Sequence, residues 1–166
     1  MNNKKLISLF TISFIVPLVL AFIVLKLDWL PGKTVNNGTF LTPEVKLTEW
    51  AKIKPKPWSI ALFTGENCAD NCLKQRDQVR NLYTALGKNQ NKVDLVLLDQ
   101  QSVDVEGFKS YPAARENLQQ NVLYLIDRMG LVVFYYPLVA DQQSNQLIQK
   151  GLIKDLKKLL NYARSS

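Results

Sequence analysis

The segment LFTGENCADNCLKQRDQVRNL, residues 62–82, carries Cys68 and Cys72, the two cysteines of the whole chain. A thiolate is a nucleophile, half of a redox couple and a ligand for soft metal ions. Spacing narrows these options. Within a regular helix, residues four apart are offset by about 6 Å along the axis, near the upper limit for a disulfide, so a bond requires Cys68 to lie outside the helix and curl over its end. The same freedom lets both sulfurs point at one ion, and Cu(I) accepts so few sulfur ligands most readily. Zinc asks for four ligands, and the chain has no histidine to complete such a set. Cys68 and Cys72 are thus the candidate catalytic pair, and the candidate ligand pair if the metal is copper. Four roles stay open at this point: a structural disulfide, a thiol redox couple, a Cu(I) carrier, and a binding module whose cysteines are dispensable. Whether the chain is an enzyme stays open with them.

The residues around the pair define the elements that must hold it. WSIALFT, from Trp58, is an apolar run bounded by Pro57 and Gly65, as expected of a strand buried on both faces. DNCLKQRDQVRNLYTALGK then places Cys72, Val79, Leu82, Tyr83 and Leu86 on one helical stripe, with Asp70 as N-cap and Gly87 as the stop. Cys68 therefore ends the loop after a strand, and Cys72 falls in the first turn of a helix. Unpaired N–H groups and the positive end of the helix dipole favour a thiolate there.

Downstream, KVDLVLLD (92–99) reads as a second strand, and Ser110 before YPAARENLQ reads as the cap of a short helix with Pro112 in its first turn. NVLYLID and LVVFYYP flank Arg128-Met129-Gly130 as a hairpin. Residues 144–163 hold Ile148, Leu152, Leu156, Leu159 and Leu160 at helical spacing, with Gly151 as an alternative start. Tyr124, Phe134, Tyr135 and Tyr136 fall on strands, where packing rather than ligand binding is expected of them. The order strand, helix, strand, helix, strand, strand, helix makes a parallel crossover unit followed by an antiparallel hairpin and a covering helix. The fold class is α/β: a central mixed sheet flanked by helices in the thioredoxin-like layout, over residues 58–163.

Upstream, Leu6 to Leu25 is uncharged over 20 residues, long enough for a helix to cross a bilayer. No small-x-small cleavage site follows. The expected organisation is a cytoplasmic tail (1–5), a transmembrane anchor (6–27) with Pro17 tolerated inside it and Trp29 near the interface, and a tether (28–57) with room for at most a short hairpin. Large domains translocate largely regardless of their own charge, so the C-terminal domain is expected in the periplasm, on an inner-membrane anchor. With Lys4, Lys5, Lys26 and Asp28 set aside, 18 basic and 13 acidic residues remain, a net charge of +5. That excess is spread out, dense only in KIKPKP at 52–57, which suits a solvated or headgroup-facing stretch. No nucleic-acid partner is expected.

LFTGENCADNC is similar to the strand, loop and C-x-x-x-C segment of Sco-type copper chaperones, membrane-anchored thioredoxin-fold proteins that serve cytochrome c oxidase assembly. LYLIDRMGLVVFYY is similar to their hairpin, a strand ending in Asp before a Gly-containing turn. NNGTFLTPEVKL, CADNCLKQRDQVRNLYTALGK and GLIKDLKKLL resemble small proteobacterial membrane proteins found with the oxidase assembly genes. The resemblance implies redox-active cysteines, copper as the cofactor such a pair takes, and oxidase subunits or other copper and haem assembly factors as partners. The chain departs from that pattern at one place. Where Sco-type proteins have a copper-binding histidine shortly before the hairpin strand, this chain has ENLQQNVLYL, with Gln119 and Gln120, poor ligands for a soft ion. Met129 is the one thioether beyond the initiator. Nor does a proline directly precede NVLYL, where thioredoxins carry their cis-proline.

Overall fold

The structure is a computed structural model that describes residues 3–26, 36–64, 70–99, 104–113 and 118–162; the side chains of 3–6, 8, 9, 25, 70 and 71 are outside the description. It divides into two units, Met1–Val35 and Asn36–Ser166.

In the first unit, helix α1 (Asn3–Lys26) forms over the apolar run and carries Pro17 inside it. Its side chains Phe10, Phe14, Leu18 and Phe22 are exposed. Among the described residues, no helix is long and apolar enough to cross a membrane.

The second unit is built on one six-stranded sheet of order β1-β6-β5-β2-β3-β4. The strands are β1 (Thr39–Phe40), β2 (Trp58–Phe63), β3 (Val93–Asp99), β4 (Lys109–Pro112), β5 (Val122–Asp127) and β6 (Val132–Pro137). β2 pairs in parallel with β3 and antiparallel with β5, and β5 pairs antiparallel with β6. This mixed sheet fits the thioredoxin-like layout. Asp127 closes the hairpin, its Oδ1 accepting from the N–H groups of Met129 and Leu131 at 2.8 Å each.

Alternation along the strands divides the core into two layers. On one face Ile60, Leu62, Leu95, Leu97, Leu123, Leu125, Phe134 and Tyr136 meet helix α2 (Asp70–Thr84) through Val79 and Leu82, and helix α3 (Gln142–Tyr162) through Leu152, Leu156 and Leu160. On the other face Ala61, Phe63, Val96, Leu98, Tyr124 and Ile126 meet Leu47 and Trp50, with Leu41, Val45, Ile53 and Leu118 packed against them. The aromatics behave as expected: Tyr124, Phe134 and Tyr136 are buried and Tyr135 is half-buried.

The second layer is where the observed chain differs from its reading as a tether. Residues 36–57 lie against the sheet. β1 pairs with β6, and Lys46 bridges to Leu131. Leu47 N donates to Gly130 O, and Val132 N donates to Val45 O. Trp50, 2% exposed, packs edge-on against Tyr111 with ring centroids 5.2 Å apart, and Tyr111 donates its hydroxyl to Thr48 O. In place of the expected short hairpin around NNGTFLTPEVKL, β1 adds to the edge of the sheet at β6. The basic stretch KIKPKP is also only partly solvated. Lys56 Nζ donates to the carbonyls of Gln90 and Val93 at 2.9 and 3.0 Å, its backbone N–H donates to Asp94 at 2.8 Å, and Asp94 also takes Lys109 Nζ at 2.7 Å.

Two further expectations are corrected. Ser110 caps no helix: it lies within β4, which runs parallel to β3. Pro112 ends that strand, as suits a residue without a ladder donor on a sheet edge. α3 begins at Gln142 and passes through Gly151. Gly151 is small because Asn37 lies against it; a Cβ there would meet Asn37 Cβ at 2.8 Å. Asp141 supplies the start, its Oδ2 accepting from Ser144 N at 2.7 Å, and hydrogen bonds from the Ser144 hydroxyl and backbone hold its carboxyl below the ordinary value. Near Gly151, Asp155 is 1% exposed and accepts from Asn37 N, Gly38 N, Asn37 Nδ2 and the Tyr136 hydroxyl, at 2.7 to 3.0 Å. Burial, then the charge and the hydrogen bond of Asp155, push the Tyr136 phenol far above its ordinary value.

Candidate functional site

The candidate site lies where β2 ends and α2 begins. β2 is central and apolar, so its C-terminal end is fixed by neighbours on both sides: Phe63 registers with Leu98 of β3 and with Val122 of β5. Cys72 is the third residue of α2, within the turn whose N–H groups have no helical acceptor. It is 6% exposed. Cys72 is disulfide-bonded, and Cys68 is the one other cysteine in the sequence. Cys68 itself lies outside the described residues, as does Asp70's side chain; Asp70 is the first residue of α2 rather than the residue before it.

Three polar residues flank the strand-to-helix junction at which Cys72 sits. Thr64, 7% exposed, follows β2 and continues the alternation of Ile60 and Leu62 toward α2. Gln75 and Arg76 stand three and four residues after Cys72, the spacings that share a helix face. Among the described residues, Thr64 Oγ1, Gln75 Oε1 and Arg76 Nε are buried and have no hydrogen-bond partner. Buried polar atoms are normally paired, so three such atoms in residues flanking one strand-to-helix junction mark it out. Sequence reading passed over them. The signal was a gap: the apolar stripe through Cys72 and Val79 skips the turn between, where Gln75 and Arg76 sit.

A second segment reaches the same end of the sheet. Asn121, at φ 57°, donates its N–H to Phe63 O at 2.7 Å and accepts from Leu138 N at 2.9 Å. Asparagine tolerates that left-handed backbone. Two residues earlier, Gln119 donates its N–H to the Tyr124 hydroxyl at 2.8 Å and accepts back from it at 2.9 Å. Burial pushes the Tyr124 phenol up to about 12, the bond with Gln119 pulling the other way and Tyr135 adding to the rise. Asn121 is thus held beside the end of β2 by the bond to Phe63 O, and Gln119 is held by Tyr124 of β5.

The other sulfur is far away. Met129, 68% exposed, sits in the turn after Asp127, and Asp127 registers with Trp58 at the opposite end of β2. Six strand residues separate the two ends, about 20 Å, so Met129 lies far from Cys72. Nor does the donor set fit a resident copper ion of the Sco type. Cys72 is disulfide-bonded, the chain has no histidine, and among the described residues no three histidine, cysteine or carboxylate side chains cluster as a metal site would require.

No curated protein matches the chain. The family described as "Transmembrane-like, thioredoxin-like, C-terminal domain" matches residues 58–163, which run from the first residue of β2 past the end of α3. By its fold, by the placement of its cysteine at a strand-to-helix junction and by this match, the chain belongs to that transmembrane-like, thioredoxin-like family.

Proposed function

We propose that this protein is a membrane-anchored thiol–disulfide protein, an accessory of respiratory cytochrome oxidase biogenesis, working through Cys68 and Cys72. The observation that carries the reading is the disulfide-bonded Cys72 in the first turn of α2, a position that lowers the free energy of a thiolate. Cys72 is buried, so in an exchange reaction Cys68 takes the partner sulfur and Cys72 is the resolving or leaving thiol. The anchor is the uncharged stretch Leu6–Leu25 within α1, and the family's description is consistent with it. On this reading the domain faces the periplasm from the inner membrane, where disulfides persist. The oxidase pathway rests on the resemblance of LFTGENCADNC and the flanking segments alone.

The test uses the full-length protein in detergent, equilibrated with glutathione buffers of graded potential and titrated with Cu(I) in its reduced and oxidised forms. The redox role expects a bond that opens within the range of the buffer, whereas a structural disulfide resists it. Failure of the bond to open overturns the proposal. Tight Cu(I) uptake by the reduced protein, held against a chelating competitor, favours a carrier instead. In cells, normal oxidase assembly with Cys68→Ser, Cys72→Ser would leave only a scaffold role.

A further inference from the structure

We infer that Thr64 and Arg76 are the groups that receive the sulfur of Cys72 as a thiolate when its disulfide opens, an inference that rests on the redox role proposed above. Each lacks a partner in the oxidised state: Thr64 Oγ1 and Arg76 Nε are buried without a hydrogen bond among the described residues. Both are donors, and a guanidinium stays charged at any working pH. A disulfide sulfur is a weak acceptor, whereas a thiolate carries a full charge that such donors stabilise. Arg76 follows Cys72 by one helical turn, and Thr64, buried just after β2, continues the alternation of Ile60 and Leu62, which face α2. The next charged residues along α2 are engaged with each other, Arg80 Nη1 donating to Asp77 at 3.1 Å, so Arg76 is the cation of that stripe nearest the sulfur in sequence. Gln75 Oε1 is an acceptor and suits the protonated thiol rather than the thiolate.

The step they serve is balanced. A thiolate of a partner dithiol attacks Cys68 Sγ and forms a mixed disulfide. The bond between Cys68 and Cys72 breaks, and its electron pair leaves on Cys72 as a thiolate. The partner's second thiolate then attacks the partner's own sulfur in the mixed disulfide and releases Cys68 as a thiolate. The partner is oxidised to a disulfide and this protein is reduced by two electrons. Because a less basic thiol leaves faster, Thr64 and Arg76 accelerate the first bond cleavage. They also make the disulfide more oxidising, since unpaired donors burden the oxidised form and are satisfied in the reduced one.

The experiment isolates Cys72 in full-length Cys68→Ser protein and follows the ultraviolet absorbance of its thiolate against pH. Thr64→Val and Arg76→Gln are each expected to move the midpoint upward by about one unit, while Thr64→Ser and Arg76→Lys stay near the parent. In the protein with both cysteines, the first two variants shift the glutathione equilibrium toward the disulfide by about tenfold. Unmoved midpoints in variants that keep the far-ultraviolet dichroism of the parent overturn the inference, and the partly exposed Arg76 supplies a variant that folds if Thr64→Val does not. The two proposals fail separately. A titration that shifts as expected, in a protein whose disulfide never exchanges with dithiols, sinks the redox role and keeps the donor pair; rapid exchange with unmoved midpoints does the reverse.

Discussion

Both faces of the sheet are buried, and they are differently made. One is covered by α2 and α3, whose leucines recur at helical spacing. The other is covered by residues 41–53, which carry one short 3-10 turn, Trp50–Ile53, and otherwise no helix. The first cover is held by apolar area. The second is held by one large ring and by backbone bonds from Val45 and Leu47 to the hairpin turn. Irregular chain thus serves as a core layer when a tryptophan fills the space a helix would have filled.

If that equivalence is real, Trp50→Ala should have the largest effect, a loss of about 3–5 kcal/mol, read by denaturant unfolding. A loss within about 0.5 kcal/mol, as for a surface site, would make the second layer an ornament on a fold supported by its helices. Gly130→Ala tests the same seat from the other side. Gly130 has φ +86°, and a Cβ there would lie 2.8 Å from Trp50 Cβ, so it should approach the tryptophan variant in severity. On the helical face, Leu156→Ala should cost about 2–5 kcal/mol; a value well above that of Trp50→Ala would rank the faces unequal.

Next comes Asp155, which ties the start of the irregular layer to the helical one. Asp155→Ala leaves donors from Asn37, Gly38 and Tyr136 unpaired and should cost about 1–3 kcal/mol. Hydrogen exchange at Asn37 and Gly38 should rise in that variant, while exchange within β5 changes least.

The smallest effect concerns alkaline pH. The Tyr124 phenol is raised from 10.0 to about 12, so between those values the unfolded chain has lost a proton that the folded chain keeps. Stability contributed by this group is fully present below pH 10 and is lost as pH rises through 12. The total is on the order of 2 kcal/mol. Tyr124→Phe should flatten the fall in unfolding free energy over that window, while Tyr136, raised in the same direction by burial and Asp155, keeps part of the slope. An unchanged slope in the phenylalanine variant would remove Tyr124 as its cause.

The same comparison explains what was legible in the sequence. β2, β3 and β5 follow from short apolar runs bounded by turn residues, because each is buried on both faces, and both helices of the domain follow from their periodic apolar stripes. Residues 41–53 do not. Leu41, Val45, Leu47, Trp50 and Ile53 follow neither period, and Pro43, Pro55 and Pro57 mark the stretch as a tether by every local sign. β4 was hidden likewise: Ser110 before Tyr111-Pro112 has the local chemistry of a cap, while its strand pairing depends on β3, ten residues and more away. At the site, the position of Cys72 could be read from the junction of strand and helix. Thr64 and Arg76 could not, because a polar side chain is identified as buried only by what surrounds it.

The family match begins at Trp58, yet the compact unit begins at Asn36. A truncated chain cut at the match boundary would be produced with Phe63, Val96, Leu98 and Tyr124 open to solvent on one whole side. Uncovered apolar surface of that kind drives self-association. Insolubility of such a fragment would therefore report the missing blanket over its back rather than any defect in the cysteine chemistry, and preparations meant to study that chemistry need to start at or before residue 36.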